Sequence, residues 1–225
     1  RLAYLRGLDK RRDEIIKSIT EQGKITDEII NALNKSVTLT ELEDIYRPFK
    51  QKKRTRATVA IEKGLGPLAE KIFAQDIRTG TIKEIAEEFV DKDKGVESWQ
   101  DAVAGAADII AGQISDDAEL RKMLRSFINR TGLISTKAAK KEDSVYSIYY
   151  DFSEPVNKVA CHRVLAIDRG ERESYLKAAI DIDKERAIGI INKRVLKPGS
   201  ITTGTVAEAA IDSFERLIFP SVERE

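Results

Sequence analysis

Residues Thr38 to Ile72 read TLTELEDIYRPFKQKKRTRATVAIEKGLGPLAEKI. Thr38 and Glu41 have the spacing of a capping box, in which the hydroxyl accepts from an amide one turn on and the carboxylate reaches back. Leu39, Leu42, Ile45 and Tyr46 follow at helical spacing. Pro48 disfavours the α region at Arg47, which predicts that the helix ends there and that residues 47–54 form a short extended connector. Thr55 is placed to start the next helix and Gly64 to stop it. Gly66 and Pro67 open another, with the proline where a missing N–H costs nothing. Between positions 47 and 56 stand Arg47, Lys50, Lys52, Lys53, Arg54 and Arg56, with no acid among them. The stretch therefore predicts helix, basic connector, helix, with the rest of the chain as the frame that holds the connector at a surface.

Composition sets the limits. The 225 residues suffice for one large domain or two small ones, and 41% hydrophobic with 34% charged residues is a globular balance. Lysine plus arginine number 39 against 38 acids, so no global field draws in a polyanion, and any such attraction has to come from local clustering. A single cysteine excludes an internal disulfide and fits a reducing, cytoplasmic setting. A single histidine excludes any site built on two. No apolar run approaches the roughly 20 residues of a membrane span, so no membrane partner is expected. Both termini fall inside helical patterns, which predicts a piece of a longer protein.

Outward from the connector, the helical period dominates. Leu2, Leu5, Leu8, Ile15, Ile16 and Ile19 form a stripe stopped by Gly23, and Thr26 caps a short helix carrying Ile29, Ile30 and Leu33. Thr81 with Glu84 repeats the capping box. Ser98 caps a helix rich in alanine and glycine (Ala102, Ala104, Gly105, Ala106, Ala107), whose small side chains permit close helix approach and predict a central, buried position. Ser115 is expected to cap the next helix, with Leu120, Met123, Leu124, Phe127 and Ile128 inside and Gly132 as stop. Residues 136–143 read as a polar loop, and 145–150 as a short strand or helical turn. Ser153-Glu154-Pro155 reads as a helix start leading to a helix near Cys161–Arg169, ended by Gly170. Residues 175–182 alternate and are the best strand candidate, whereas 184–194 lean helical. Thr205 and Glu208 suggest a third capping box before a last helix that meets Pro220. The expected fold is mainly α, an irregular multihelical array with at most one or two short strands. It divides into residues 1–114 and 115–225, the second part holding a helix-turn-helix-like unit at 115–141.

Three stretches together are distinctive: the one at 38–72, DFSEPVNKVACHRVLAIDRGERE at 151–173, and AIDSFERLIFPSVERE at 210–225. In this order and spacing they resemble the bacterial Tex family, the transcription accessory proteins. The resemblance covers essentially the whole chain and is most specific in the first stretch. It implies the multihelical N-terminal part of a longer protein, followed in the family by an RNase H-like domain of the YqgF type, helix-hairpin-helix elements and an S1 domain. In one position the chain departs from the family pattern. Cys161 stands before the His-Arg pair where a serine is expected, and cysteine caps a helix poorly.

Each charged cluster has a functional and a bland reading. The connector can neutralise phosphates, with released counterions supplying the binding free energy and Tyr46 and Phe49 available to stack on bases. It can equally be a solvated loop paired with Glu41, Glu43 and Asp44. Lys137, Lys140 and Lys141 are a second, weaker basic group. His162-Arg163 can meet a phosphate or simply pack at a helix start, and Arg169 to Arg172 fits a helix C-terminus. Asp116-Asp117 suits an opening helical turn. Asp181 and Asp183 can share a strand face, but no further ligand completes a metal set. There is no glycine-rich phosphate loop and no nucleophile elbow, so no enzyme activity, cofactor or small-molecule substrate is expected. The expected role is a non-catalytic, non-sequence-specific nucleic-acid-binding scaffold, contacting RNA or DNA through Arg47, Lys50, Lys52, Lys53, Arg54 and Arg56. A platform docking on the transcription machinery and an intramolecular scaffold for downstream domains are the alternatives.

Overall fold

The computed structural model describes residues 2–50, 54–140 and 142–225. Its elements fall into two compact units. The first comprises residues 1–122 and 194–218, the second residues 123–193 and 219–225.

The first unit begins with α1 (Leu2–Glu21), α2 (Asp27–Lys35) and α3 (Leu39–Tyr46). Leu8, Ile15, Ile19, Leu33 and Leu42 from these helices form one buried cluster. Thr26 and Thr38 cap α2 and α3 through Ile29 N and Glu41 N, as their sequences imply. Arg47 does not leave the α region: it sits at φ −51°, ψ −43°, and a 3-10 turn spans Arg47–Phe49. Pro48 occupies the opening of that turn, where its missing N–H is not needed, and Lys50 N–H still closes on the Tyr46 carbonyl at 3.1 Å. Only at Lys50 does the backbone become extended.

Next come α4 (Arg56–Glu62), α5 (Gly66–Ala74), α6 (Ile82–Glu87) and α7 (Trp99–Ser115). The alanine-rich helix is indeed the buried one: Ala102, Ala106, Ile109, Ile110, Ala111 and Ile114 are inaccessible, and α4, α5 and α6 all pack on it. Gly105 is where α7 meets the loop before α5, since a Cβ there would lie 2.3 Å from Leu65 Cδ1. One face further along, Gly112 lies against Ala57 of α4. Residues 194–218 return to this unit by polar anchors. Gln75, in the left-handed region at φ 55°, donates to Val195 O and accepts from Lys197 N. Thr202 Oγ1 donates to Ile72 O, and Ser200 Oγ to Ile77 O. These bonds start α11 (Thr203–Asp212) at Thr202 rather than at Thr205, so the third capping box is not formed. A π-helical turn, Ser213–Ile218, follows α11.

The helix α8 (Ala118–Thr131) is capped by Asp117, whose Oδ1 accepts from Leu120 N. Ser115 instead closes α7, its hydroxyl bonded back to Gly112 O. Leu120, Leu124, Phe127 and Ile128 are buried as their spacing predicts, whereas Met123 is 45% exposed.

In the second unit the strand count exceeds the expected one or two. Strands β1 (Leu133–Ala138), β2 (Asp151–Pro155) and β3 (Leu176–Asp181) form an antiparallel sheet in the order β2-β1-β3. The polar run that reads as a loop at 136 is strand through Ala138, because Thr136 is buried with its hydroxyl bonded to Tyr149 O. The same strand replaces the second helix of the helix-turn-helix reading of 115–141: α8 is followed by Gly132 and then by β1. Ser153-Glu154-Pro155 ends an edge strand, where proline is tolerated, and does not start a helix. The helix α9 (Cys161–Arg172) runs through Gly170, which is buried so tightly against Leu176 that a Cβ would come within 2.6 Å. The turn falls at Ser174, φ 61°. The residue before α9 is Ala160, so Cys161 is not a cap position but the first helical residue. α10 (Lys184–Val195) and the short α12 (Phe219–Val222) complete the chain. No helix among the described residues is long and apolar enough to cross a membrane.

Candidate nucleic-acid interface

The connector lies in the first unit, between α3 and α4. Arg47 is half-buried in the 3-10 turn, and Lys50, Arg54 and Arg56 are exposed. Lys52 and Lys53 lie outside the described residues, as does Lys141. Thr55 and Thr58 cap α4 reciprocally: each hydroxyl accepts the other residue's N–H, at 3.2 and 2.7 Å. This fixes where Arg56 enters the helix.

Lys50 and Arg54 have acidic neighbours among the described residues, but loose ones. Lys50 Nζ stands 3.9 Å from Glu43, and an Arg54 guanidinium nitrogen 3.9 Å from Glu62, with both cationic side chains more than 60% exposed. At that separation and exposure an ion pair contributes little, on the order of 0–1 kcal/mol. Glu43 is engaged more tightly elsewhere. It accepts from Arg11 Nε at 2.7 Å, and that bond raises the Arg11 pKa above its ordinary value.

Arg47, Lys50 and Thr55 form part of the lining of a half-open cleft of about 380 Å³. Its other charged residues are Glu43, Asp108, Asp116 and Arg216. Close contact between α4 and α7, made over Gly112 and Ala57, places the start of α4 beside Asp108. Burial pushes the Asp108 carboxyl above the usual aspartate range, although Arg216 and Arg56 pull it down. Arg216 projects from the π-helical turn. Its Nε donates to Asp212 Oδ1 at 2.9 Å, and its Nη2 donates to Asp212 Oδ2 and, at 3.1 Å, to Asp108 Oδ1. The neighbouring Ser213 hydroxyl is buried without a hydrogen-bond partner among the described residues. Wider helical turns of this kind recur at functional sites.

The remaining candidates belong to the second unit. Lys137, on β1, is exposed and stands in register between Asp151 and Lys177. Lys140 lies over the Tyr175 ring, 4.5 Å from its centroid. His162 is exposed in the first turn of α9, whereas Arg163 is tied to Glu154 at 2.6 Å and lies over Phe152. Arg172 pairs with Asp168 one turn back. Asp183 caps α10 through Arg186 N, and Asp117 caps α8, so each carboxylate pair supplies a helix cap. Among the described residues no group of three His, Cys, Asp or Glu side chains could hold a metal ion.

Sequence reasoning missed Asp108 and Arg216. The i,i+4 spacing of Asp212 and Arg216 is visible, but nothing in the chain order brings Asp108 to them.

The fold and its cleft define a mainly helical module with a small antiparallel sheet, presenting a mixed-charge surface cleft in which cations from one connector take part. The chain belongs to the Tex family: residues 78–210 match the family model described as Tex central region-like. A Bacillus subtilis protein, YdcI, is 40% identical over the whole chain, which covers 32% of that relative. YhgF of Escherichia coli is 39% identical over 82% of the chain and 24% of its own length. Tex of Bordetella pertussis is 35% identical over the same shares. The human S1 RNA-binding domain-containing protein 1 is 25% identical over the full chain and 24% of its own length. The chain thus spans about a quarter to a third of the relatives it matches. The connector precedes the family-model match and is covered in the Bacillus alignment.

Proposed function

We propose that this chain is a non-catalytic nucleic-acid-binding scaffold of a cytoplasmic transcription accessory protein. The observation that supports the reading best is the cleft. Arg47 and Lys50 stand at one site beside Arg216, while the exposed Lys50 and Arg54 have, among the described residues, acidic partners 3.9 Å away. The names of two relatives, a transcriptional accessory protein and an S1 RNA-binding domain-containing protein, point the same way. Phosphate is the natural ligand of such a cluster, because it displaces condensed counterions and takes charge-assisted hydrogen bonds without reading sequence. Lys137, Lys140 and Lys141 are a weaker secondary contact.

A second reading is a protein-docking platform, for polymerase or for domains beyond this chain. It is favoured by Val145, Ile148 and Leu165, which are 85%, 76% and 66% exposed. Salt separates the two. Fluorescence anisotropy with single- and double-stranded probes at two salt concentrations should give a steep log–log decline. Changing Lys50, Lys52, Lys53 and Arg54 to serine should reduce the slope by about 0.7 per lost contact on single strands, or about 0.9 on duplex. Equal binding by the two proteins would reject the connector as the site.

A further inference from the structure

The cleft is balanced as it stands. Arg47, Lys50 and Arg216 face Glu43, Asp108 and Asp116 on its lining. A ligand phosphate entering it meets repulsion as well as attraction, and the decisive carboxylate is the one that holds a cleft arginine across from another element. Asp212 and Arg216 are one helical turn apart and are bonded through both Nε and Nη2 of the arginine. Asp108, by contrast, belongs to α7 and reaches the Arg216 guanidinium over 3.1 Å.

We propose that Asp108 is a built-in competitor for phosphate: its carboxylate occupies the cleft arginine in the absence of nucleic acid, and neutralising it opens that donor to a phosphate oxygen. The proposal rests on the nucleic-acid reading above. A carboxylate and a phosphate present similar paired oxygens to a guanidinium fork, so each can take the other's place on Arg216. Removing the charge of Asp108 leaves the lining one positive charge in excess. Arg216 keeps its orientation, because Asp212 still binds it through both Nε and Nη2.

Among the described residues, the charged groups that act on Asp108 are Arg216 from the π-helical turn, Arg56 from α4 and Asp212 from α11. Glu43, Arg47, Lys50 and Asp116 share the cleft with it. Burial outweighs the two arginines in setting its proton affinity, so Asp108 takes up a proton before an ordinary aspartate does as pH falls. The cleft therefore binds polyanion more tightly as pH falls.

The test measures anisotropy of a labelled single-stranded oligonucleotide at fixed salt from pH 7 to pH 5. The proteins are the wild type, Asp108→Asn, Asp108→Ser and the connector serine variant, each checked for folding by circular dichroism. Wild-type affinity should rise as pH falls. Both Asp108 variants should bind roughly tenfold more tightly at pH 7, the worth of one charge-assisted contact, with a smaller rise on acidification than the wild type. A rise on acidification as large in Asp108→Asn as in the wild type would overturn the proposal. Asp108 variants that bind no better than wild type at pH 7, alongside a connector variant that binds less, would also overturn it while leaving the nucleic-acid reading intact. No loss of binding in the connector variant would remove both.

Discussion

Replacing Gly105 by alanine tests whether the close approach over α7 is what shapes the first unit. An added Cβ would lie 2.3 Å from Leu65 Cδ1 and 3.4 Å from Ala60 Cβ. The first distance is more than an ångström inside ordinary carbon contact, and Leu65 is only 1% exposed, so its side chain has nowhere to swing. Overpacking of this kind costs about 1–3 kcal/mol, and the depth of the overlap puts Gly105 near the upper end. Alanine is the better helix former by about 1 kcal/mol, which leaves a net loss of about 2 kcal/mol. For a chain of this size that corresponds to a fall in melting temperature of about 4–8 °C, readable by circular dichroism or calorimetry. Gly112→Ala on the same helix is the control. Its nearest neighbour is Ala57 Cβ at 3.4 Å, so the steric cost is small and the propensity gain roughly offsets it. If Gly105→Ala melts at or above the wild-type temperature, the small-residue face is not a packing requirement. The account of how α4 and the connector are held beside α7 then fails with it.

Gly7, in α1, has nothing within 4 Å of an added Cβ, so Gly7→Ala should raise stability by up to about 1 kcal/mol in a thermal melt. Arg121 is fully buried, its Nε 2.8 Å from the Asp44 carboxylate; Arg121→Met should cost about 3–5 kcal/mol in a urea titration, because it strands a buried charge. The double variant with Asp44→Leu should recover much of that loss, since the ion pair's attraction roughly repays its desolvation. Glu41 has its pKa held down, first by the Val37 N–H and then by Lys122 and Thr38, so its contribution is present at neutral pH and is lost as pH falls through its depressed folded value. Glu41→Gln should therefore flatten the acid limb of the stability profile in melts taken between pH 7 and pH 3.

What the chain order made legible was the set of features decided within one helical turn. Thr26, Thr38, Thr55, Thr81 and Ser98 all cap the helices that their spacing marks, because a hydroxyl and an amide three residues on need no tertiary partner. The alternation at Leu176–Asp181 gave β3 for the same local reason. The readings that failed are those where a distant residue decides. Thr205 and Glu208 have the box spacing, yet α11 starts earlier because Thr202 is bonded to Ile72, 130 positions away. Thr136 reads as loop until Tyr149 supplies an acceptor for its hydroxyl. Gly170 reads as a stop, but it is a contact point for Leu176. The candidate site divides along the same line. The six connector cations are a local run and can be read directly, whereas the group proposed to govern them cannot. Asp108 lies about fifty residues from the connector and 108 from Arg216; it meets the first because α4 packs on α7 and the second because residues 194–218 return to the first unit. A run of like charge shows where a polyanion can be drawn; whether the site is open to it depends on carboxylates that the fold delivers from elsewhere. That is why the decisive substitution for this surface lies on α7, at a position that no reading of the connector would have selected.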